Sequence, residues 1–372
     1  MRRFRSSDVT AAQAALELKI TPRRFYQLYH SFLKALAHRQ TDRWAPASSG
    51  GDHRHRWSPD CQALVDKLLR ARTPYSAVAS EVLRLLGQPL NRATVRRYAL
   101  ARGLAPAKTT VVRKPVRRWQ THKVGQLWQY DASPHYWFAQ QDWQPSLLNL
   151  LDDHSRLNIQ ARLFERETLL AHLDFLGRAF QSYGLPLALY VDYHSFFFTH
   201  VPENHTQLAA ALRFYDVSLL FAPTPQAKGK IERSHQVWQK RLPPILAANG
   251  ISELPAANAL LDQLRRHRNE SEKHREIGST PQAAWDLAKK EKRWVLRPAP
   301  ACPWWPYVFS QQAPLAVGDD GKVAIGSQRL SVDARPRSKV IRCLHPNGDI
   351  TVLQHPPDRN SMPVVLLSTR LC

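Results

Sequence analysis

The chain has 372 residues, which is long enough for two or three domains that each bury a core. Its 43% hydrophobic and 22% charged residues exclude a disordered protein, and no apolar run approaches the ~18 residues of a membrane span. Lysine and arginine number 53 against 30 acidic residues, so we expect a polyanionic partner and no membrane association.

The first predicted unit is a helix-turn-helix over residues 1–46. Thr10 can cap a first helix, and Thr21 followed by proline can start a second one that runs to about residue 36. The second helix turns apolar side chains inward and Arg23 and Arg24 outward, as in a helix that contacts DNA. A small helical hairpin without a DNA-binding role has the same pattern and stays open as the alternative.

A second helical unit is predicted over residues 57–104, after a polar linker rich in glycine and serine. Its third helix, capped by Asn91, exposes Arg92, Arg96 and Arg97, so we expect it to be the recognition helix. Residues 105–119 follow as an extended basic linker that we expect to lie along the DNA backbone. The linker residues expected on DNA are Arg113, Lys114, Arg117 and Arg118.

The positive charge is concentrated in residues 82–130, which include the end of the second helical unit and the basic linker. No acidic residue occurs between Val82 and Tyr130, although many lysines and arginines do. Such a segment repels itself unless a polyanion neutralises it, whereas a merely solvated basic face usually carries interspersed acids. This distribution favours double-stranded DNA as the partner.

Residues 120–292 have the pattern of an α/β domain with a helical tail. Three strand-like runs follow one another without helices, and two more alternate with helices. Three antiparallel strands followed by αβαβα is the element order of the ribonuclease H-like fold. Residues 305–372 alternate in hydrophobicity between glycine turns, which predicts a small β-barrel. The expected architecture is therefore a multidomain α+β protein with N-terminal helix-turn-helix units, a ribonuclease H-like α/β core and a C-terminal small β-barrel.

Three carboxylates of the core stand out. Asp131 and Asp192 each follow an apolar strand segment, and Glu232 is a lone acid on a basic helix. Taken singly, they could be a strand cap, a turn residue and a surface ion pair. Together, on the first strand, the fourth strand and the next helix, they can converge to hold two Mg²⁺ or Mn²⁺ ions for phosphoryl transfer.

Zinc is not expected, because His53, His55 and Cys61 lack a second cysteine to complete a tetrahedral site. The four cysteines lie far apart, which fits a reducing compartment. The N-terminus lacks the apolar core of a signal peptide, so a cytoplasmic location is expected.

The motifs around the three acids resemble the integrase core of DDE insertion-sequence transposases, and most closely the ISNCY group. The matching residues are Asp131-Ala132-Ser133-Pro134-His135 with Trp137-Phe138, Asp192-Tyr193-His194-Ser195-Phe196-Phe197, and the run from Pro223 through Glu232. The resemblance implies that Asp131, Asp192 and Glu232 are a catalytic triad. It further implies cleavage at terminal inverted repeats, strand transfer into target DNA, a homo-oligomer and a nucleoid-associated bacterial protein.

Two positions depart from the family pattern. Ala132 stands where the family has glycine, and Tyr193 stands where it has arginine, which puts one DNA-backbone contact in doubt. In the resembling cores, the neighbouring acids Asp152 and Asp153 are structural.

Other residues near the acids have open roles. His194 is interpreted either as a contact to phosphate or an assistant in proton transfer, or as a turn-stabilising residue. Lys228, Lys230 and Arg233 are expected to bind DNA phosphates, with internal ion pairs as the alternative for the two lysines.

Two other functions stay open from the sequence. A catalytically decayed transposase would act only as a sequence-specific DNA-binding protein. A ribonuclease H-like nuclease would cut DNA without joining it. The three intact carboxylates favour the transposase.

Overall fold

The structure is a computed structural model that describes residues 1–38, 44–45, 57–105, 120–139, 142–199, 201, 205–223 and 225–370. The linker residues expected on DNA, Arg113, Lys114, Arg117 and Arg118, lie outside these ranges. The chain divides into two compact units, Met1–Ser58 and Pro59–Cys372.

The described residues of the first unit contain three α-helices, α1 (Arg2–Arg5), α2 (Ala11–Glu17) and α3 (Pro22–Ala37). Thr10 and Gln13 form a capping box at the start of α2, and Thr21 accepts a backbone N–H at the start of α3. Lys19 takes a left-handed backbone conformation (φ 52°) in the tight turn between α2 and α3. The two helices predicted from the caps are therefore present, and their role on DNA stays a prediction.

The second unit begins with α4 (Pro59–Arg70), α5 (Tyr75–Leu86) and α6 (Arg92–Ala101). The side chain of Asn91 accepts the backbone N–H of Ala93 and caps α6, as the sequence predicts. Val95 and Ala99 are buried, so one face of α6 packs inward and the other is left to solvent.

A five-stranded sheet forms the centre of the second unit. Its strands are β1 (Trp128–Pro134), β2 (Ser146–Asp152), β3 (Asn158–Phe164), β4 (Ala188–Val191) and β5 (Ser218–Phe221). The order across the sheet is β3-β2-β1-β4-β5, with β1, β2 and β3 antiparallel and β4 parallel to both β1 and β5. This mixed sheet has the strand directions predicted for the core.

Six further α-helices lie among the described residues of this unit. They are α7 (Leu169–Tyr183), α8 (Gln207–Phe214), α9 (Gly229–Ala248), α10 (Leu254–Ser271), α11 (Pro281–Lys290) and α12 (Trp305–Val308). Helix α9 continues through Pro243 and Pro244, where a helix would ordinarily end. An interior proline costs about 3 kcal/mol. The buried side chains of Leu242, Ile245 and Leu246 can offset that cost at roughly 1.5–3 kcal/mol each.

No helix within the described ranges is long and apolar enough to cross a membrane.

The C-terminal strands form an open arrangement. They are β6 (Gln311–Ala316), β7 (Lys322–Ile325), β8 (Gln328–Ser331), β9 (Lys339–Leu344), β10 (Asp349–Leu353) and β11 (Val365–Arg370). A four-stranded sheet has the order β11-β10-β9-β6, and β7 and β8 pair separately. The predicted small barrel is therefore not found, since the described strands leave β6 and β11 as two edges. Pro314 in β6 has no N–H to donate, which suits an edge strand.

Trp304 and Trp305 join the C-terminal sheet to the core. Trp304 is almost fully buried and donates its indole N–H to the carbonyl of Ser361 at 2.6 Å. Trp305 packs against Tyr215, with 4.8 Å between the ring centroids. Both rings therefore pack and fasten the C-terminal sheet to the core.

Helix α5 is fastened to α9 and α10 through one carboxylate. Glu272 accepts hydrogen bonds from Ser80 (2.8 Å) and from Arg241 of α9 (2.5 Å). Burial by itself raises the pKa of Glu272, but the neighbouring charges of Arg241 and Arg268 and the bond from Ser80 outweigh it, so its pKa is lowered.

We predict that Glu272→Gln lowers the free energy of unfolding by about 1–3 kcal/mol at neutral pH, because two partly buried donors lose a charged acceptor. The folded-state pKa of Glu272 lies below its ordinary 4.5, so this stability is complete above that pH and is lost as the pH falls through the folded pKa. Thermal melts of both proteins across this range should show the difference in Tm shrinking below about pH 4.5. Glu270→Gln, at an exposed position of the same helix, is the control. A difference in Tm that does not depend on pH would contradict the prediction.

Candidate active site

The side chains of β1 alternate between two surroundings. Trp128 and Tyr130 point into the core, where the Tyr130 hydroxyl lies 2.5 Å from Nδ1 of His172. Gln129 and Asp131 point to the opposite face and contact α9 and the turn before it. This is the alternation that the sequence predicts, and it puts the carboxylate of Asp131 on the face that α9 covers.

The parallel pairing of β1 with β4 brings two of the three predicted acids together. Trp128 is opposite Leu189, and Gln129 is opposite Tyr190. Asp131 lies two residues beyond the last of these pairs on β1, and Asp192 directly follows β4. The parallel pairing therefore brings both carboxylates to the same end of the two strands.

Lys228 lies between these two carboxylates. Its Nζ is 2.6 Å from Oδ1 of Asp131 and 3.3 Å from Oδ2 of Asp192. Lys228 is only 4% exposed, whereas the side chain of Asp192 is 51% exposed. The described structure thus places Lys228 in the internal ion pairs that the sequence left as the alternative to DNA binding, because two adjacent carboxylates attract the nearest cation.

His235 is a site residue that the sequence analysis missed. Its Nε2 lies 3.5 Å from Oδ2 of Asp131, and the ring is buried. Burial by itself raises the pKa of Asp131, but the contact with His235 and the charge of Lys228 outweigh it, so this pKa is lowered below 3.8. Asp131 therefore stays ionised at neutral pH.

Glu232 is the fourth residue of α9 and is half-buried. It follows Lys228 by four residues and precedes His235 by three, so the three side chains lie on one helix face. That face meets Asp131, since both Lys228 and His235 contact it. Within the described ranges, no three acidic, histidine or cysteine side chains are grouped closely enough to hold a metal ion. Convergence of Glu232 with the two aspartates stays a prediction.

Hydrogen bonds set the rotation of α9 against the sheet. The backbone N–H of Ile231 donates to Gln129 at 3.2 Å, and the side chain of Gln239 donates to Ser133 at 2.9 Å. Near the middle of this contact, Ser234 accepts a bond of 3.0 Å from Asn149 of β2. These bonds hold the face that carries Glu232 towards β1.

Asp152 and Asp153 have the structural arrangement that the resemblance implies. Asp152 accepts the backbone N–H groups of Gly125 and Ser155, and burial raises its pKa despite these bonds. Asp153 is fully buried and accepts bonds from the Thr121 backbone and from Gln129. It also pairs with Lys230, so this lysine too makes an internal ion pair, where the sequence favoured DNA phosphates.

The turn after Asp192 is held by its own residues. Oδ1 of Asp192 accepts the backbone N–H of His194 at 3.2 Å, and Nδ1 of His194 accepts that of Phe196 at 3.5 Å. These contacts match the turn-stabilising interpretation of His194. Tyr193 is exposed and stacks on Phe221, with ring centroids 4.9 Å apart.

The other predicted DNA contacts are mostly on the surface. Arg24 is half-buried and donates to Gln27, and the rest of the described set is exposed. The exposed members are Arg23, Arg92, Arg96, Arg97 and Arg233. Their contacts with DNA stay predictions.

We predict a large loss of stability from a substitution at the structural Asp153 and a small change from one at the site residue Asp192. Asp153→Asn should lower the free energy of unfolding by about 3–5 kcal/mol, because Lys230 loses its buried counter-charge. Asp192→Asn should change it by less than about 0.5 kcal/mol, since this side chain is 51% exposed and its attraction to Lys228 is offset by its repulsion from Asp131. Urea denaturation measures both, and equal losses at the two positions would contradict the division into structural and site carboxylates.

Two curated transposases are similar to this chain in sequence. The protein y4bF of Sinorhizobium fredii, named as a transposase, is 30% identical over 226 residues, which are 55% of this chain and 50% of that protein. The transposase for insertion sequence IS1202 of Streptococcus pneumoniae is 35% identical over 149 residues, which are 37% of this chain and 31% of that protein. The chain thus matches half or less of the length of these relatives. No protein-family model matches it.

Solved structures with a likeness to this chain include two retroviral integrase catalytic cores. The HTLV-2 integrase core in complex with magnesium is 16% identical with a TM-score of 0.35, covering 43% of this chain and 95% of that one. The BIV integrase core is 20% identical with a TM-score of 0.35, covering 45% of this chain and 98% of that one. Sequence similarity to two transposases, one of them from an insertion sequence, confirms the resemblance that the motifs around Asp131, Asp192 and Glu232 predict.

Proposed function

We propose that this protein is a DNA transposase that cuts DNA at the ends of an insertion sequence and joins those ends to target DNA. The observation that carries the proposal is the position of Asp131 and Asp192 at the same end of β1 and β4, close enough for the ammonium of Lys228 to contact both. The similarity to two transposases supports the same reaction.

The donor set suits a hard divalent cation. Carboxylate oxygens are the ligands that Mg²⁺ and Mn²⁺ prefer. The ammonium of Lys228, within 3.3 Å of both aspartates, already marks a position between them where a positive charge is stabilised. We propose that Asp131, Asp192 and Glu232 hold two such ions, which would activate the attacking oxygen and stabilise the leaving one.

The reaction needs no side-chain nucleophile, because phosphoryl transfer depends mainly on holding the attacking and leaving oxygens in line. Water would attack the phosphodiester at the element end and release a 3′-hydroxyl. That hydroxyl would then attack a target phosphodiester, forming one bond to the element and breaking one in the target. The residues of this chain would hold the strand ends in line, with the exposed Arg233 beside Glu232 as one phosphate contact.

DNA recognition is proposed for the N-terminal units. The exposed arginines of α6 lie on the face opposite to buried Val95 and Ala99, so this helix can enter a major groove. The proposed partners are double-stranded terminal repeats, target DNA and further copies of this chain, because transposition brings two element ends together. The setting would be the bacterial cytoplasm, at the nucleoid.

One alternative is a decayed transposase that binds DNA without cutting it. A second alternative is a nuclease that cuts DNA without joining it. The two carboxylates of Asp131 and Asp192 both contact the ammonium of Lys228, so the position between them suits a cation, which favours a working site.

We predict that Glu232→Gln abolishes cleavage and joining with Mg²⁺ while leaving the affinity for element-end DNA nearly unchanged, because one oxygen ligand loses its charge. Gel assays of cleavage and strand transfer, with binding measured in parallel, test this. Glu253→Gln, at an exposed glutamate before α10, is the matched control. Strand transfer by Glu232→Gln at the parental rate would show that the triad is wrong. Cleavage without joining in the parent protein would identify the nuclease, and binding without cleavage the decayed transposase.

We predict that Arg96→Ala and Arg97→Ala each weaken binding to element-end DNA by about 1–3 kcal/mol and affect scrambled DNA less, since base-reading arginines discriminate sequence. Titrations of both DNAs at several salt concentrations measure this. An equal loss on both, with a shallower salt dependence, would make these residues backbone contacts. No loss on either would remove α6 from the recognition surface.

A further inference from the structure

We propose that Lys228 is an internal counterion that occupies the cation position between Asp131 and Asp192 in the metal-free protein, and that a divalent ion must displace it. This inference rests on the proposed function, because it concerns how the proposed metal site is filled.

The geometry of Lys228 is that of a bound cation. Its Nζ contacts one oxygen of each aspartate, at 2.6 Å and 3.3 Å, while the residue as a whole is 4% exposed. Burying an ammonium group is costly unless it is paired, so these two carboxylates stabilise the inward position. A compact ammonium can take a cation position that the planar guanidinium of an arginine would fill poorly.

Lys228 and a divalent ion cannot share this position. An ion bound by Asp131 and Asp192 would lie where Nζ now lies, and the two positive charges would repel each other at close range. Each would therefore weaken the binding of the other, which is a competition between an internal and an external ligand. His235 does not compete in this way, because its contact is with the other oxygen of Asp131.

The position of Lys228 in the chain allows the side chain to leave. It is the last residue of the short 3₁₀ helix Pro225–Lys228 and immediately precedes the first residue of α9, Gly229. A Cβ added to Gly229 would meet nothing within 4 Å, so the backbone beside Lys228 is not enclosed. An ammonium released from the aspartates would be free to contact a DNA phosphate, which is the role that the sequence analysis expected.

Lys230 provides an internal comparison. It is also a paired lysine of the same helix turn, but its partner Asp153 belongs to the structural network and not to the proposed metal site. A divalent ion should therefore leave Lys230 in place.

The first experiment labels the amines of the unaltered full chain with an activated ester, in chelator and in Mg²⁺, and measures each lysine by peptide mass spectrometry. The labelling rate of Lys228 should rise several-fold in Mg²⁺, and that of Lys230 should not change. A rate at Lys228 that is the same in both conditions would overturn the inference, and this measurement needs no variant to fold.

The second experiment measures Mn²⁺ binding by calorimetry. Lys228→Met should tighten Mn²⁺ binding by a factor within the roughly 5–150-fold range of typical couplings between ligands. Lys240→Met removes the same charge from an exposed position of α9 and should have little effect. Asp131→Asn should bind Mn²⁺ more weakly than the parent.

The outcomes separate the two proposals. If Asp131→Asn weakens Mn²⁺ binding but Lys228→Met and Lys240→Met behave alike, the metal site stands and the counterion role of Lys228 fails. If the parent protein binds no Mn²⁺, the proposed metal site fails and the counterion role fails with it.

Discussion

Two carboxylates on adjacent strands repel each other unless a positive charge lies between them, and this requirement organises the core of the protein. The parallel pairing of β1 with β4 brings Asp131 and Asp192 to the same end of the two strands. In the structure the ammonium of Lys228 meets the requirement. A divalent ion at the proposed site would meet it with more charge, and it would supply the chemistry of phosphoryl transfer.

Hydrogen bonds around Asp131, Asp192 and Lys228 hold the neighbouring strand and helix in place. Gln129 connects two parts of this network, because it accepts the Ile231 N–H of α9 and donates to buried Asp153. Asp153 in turn holds the backbone at Thr121 and the side chain of Lys230. The structural acids and the site acids thus differ in burial: the first are sealed inside hydrogen-bond networks, and the second face the sheet edge where DNA could enter. A close pair of acids at that edge costs stability, which is the usual condition of a functional site.

The sequence predicted what short-range patterns determine. The capping residues marked the starts of α2, α3 and α6, and the order of strand-like runs and helices predicted the mixed sheet of the core. Features set by distant contacts were missed. The partners of Lys228 and the approach of His235 depend on how α9 lies on the sheet, and the passage of α9 through Pro243 depends on packing. Closure of a barrel was expected from alternation, but alternation does not determine whether edge strands meet.

The central claim, one cation site shared by three carboxylates, is tested most directly by anomalous diffraction from crystals soaked in Mn²⁺. We expect a manganese peak between Asp131 and Asp192, at ligand distances of about 2.0–2.3 Å, with a Glu232 oxygen in the ligand set and Lys228 moved away. Manganese bound elsewhere, or bound while Lys228 keeps both ion pairs, would contradict it.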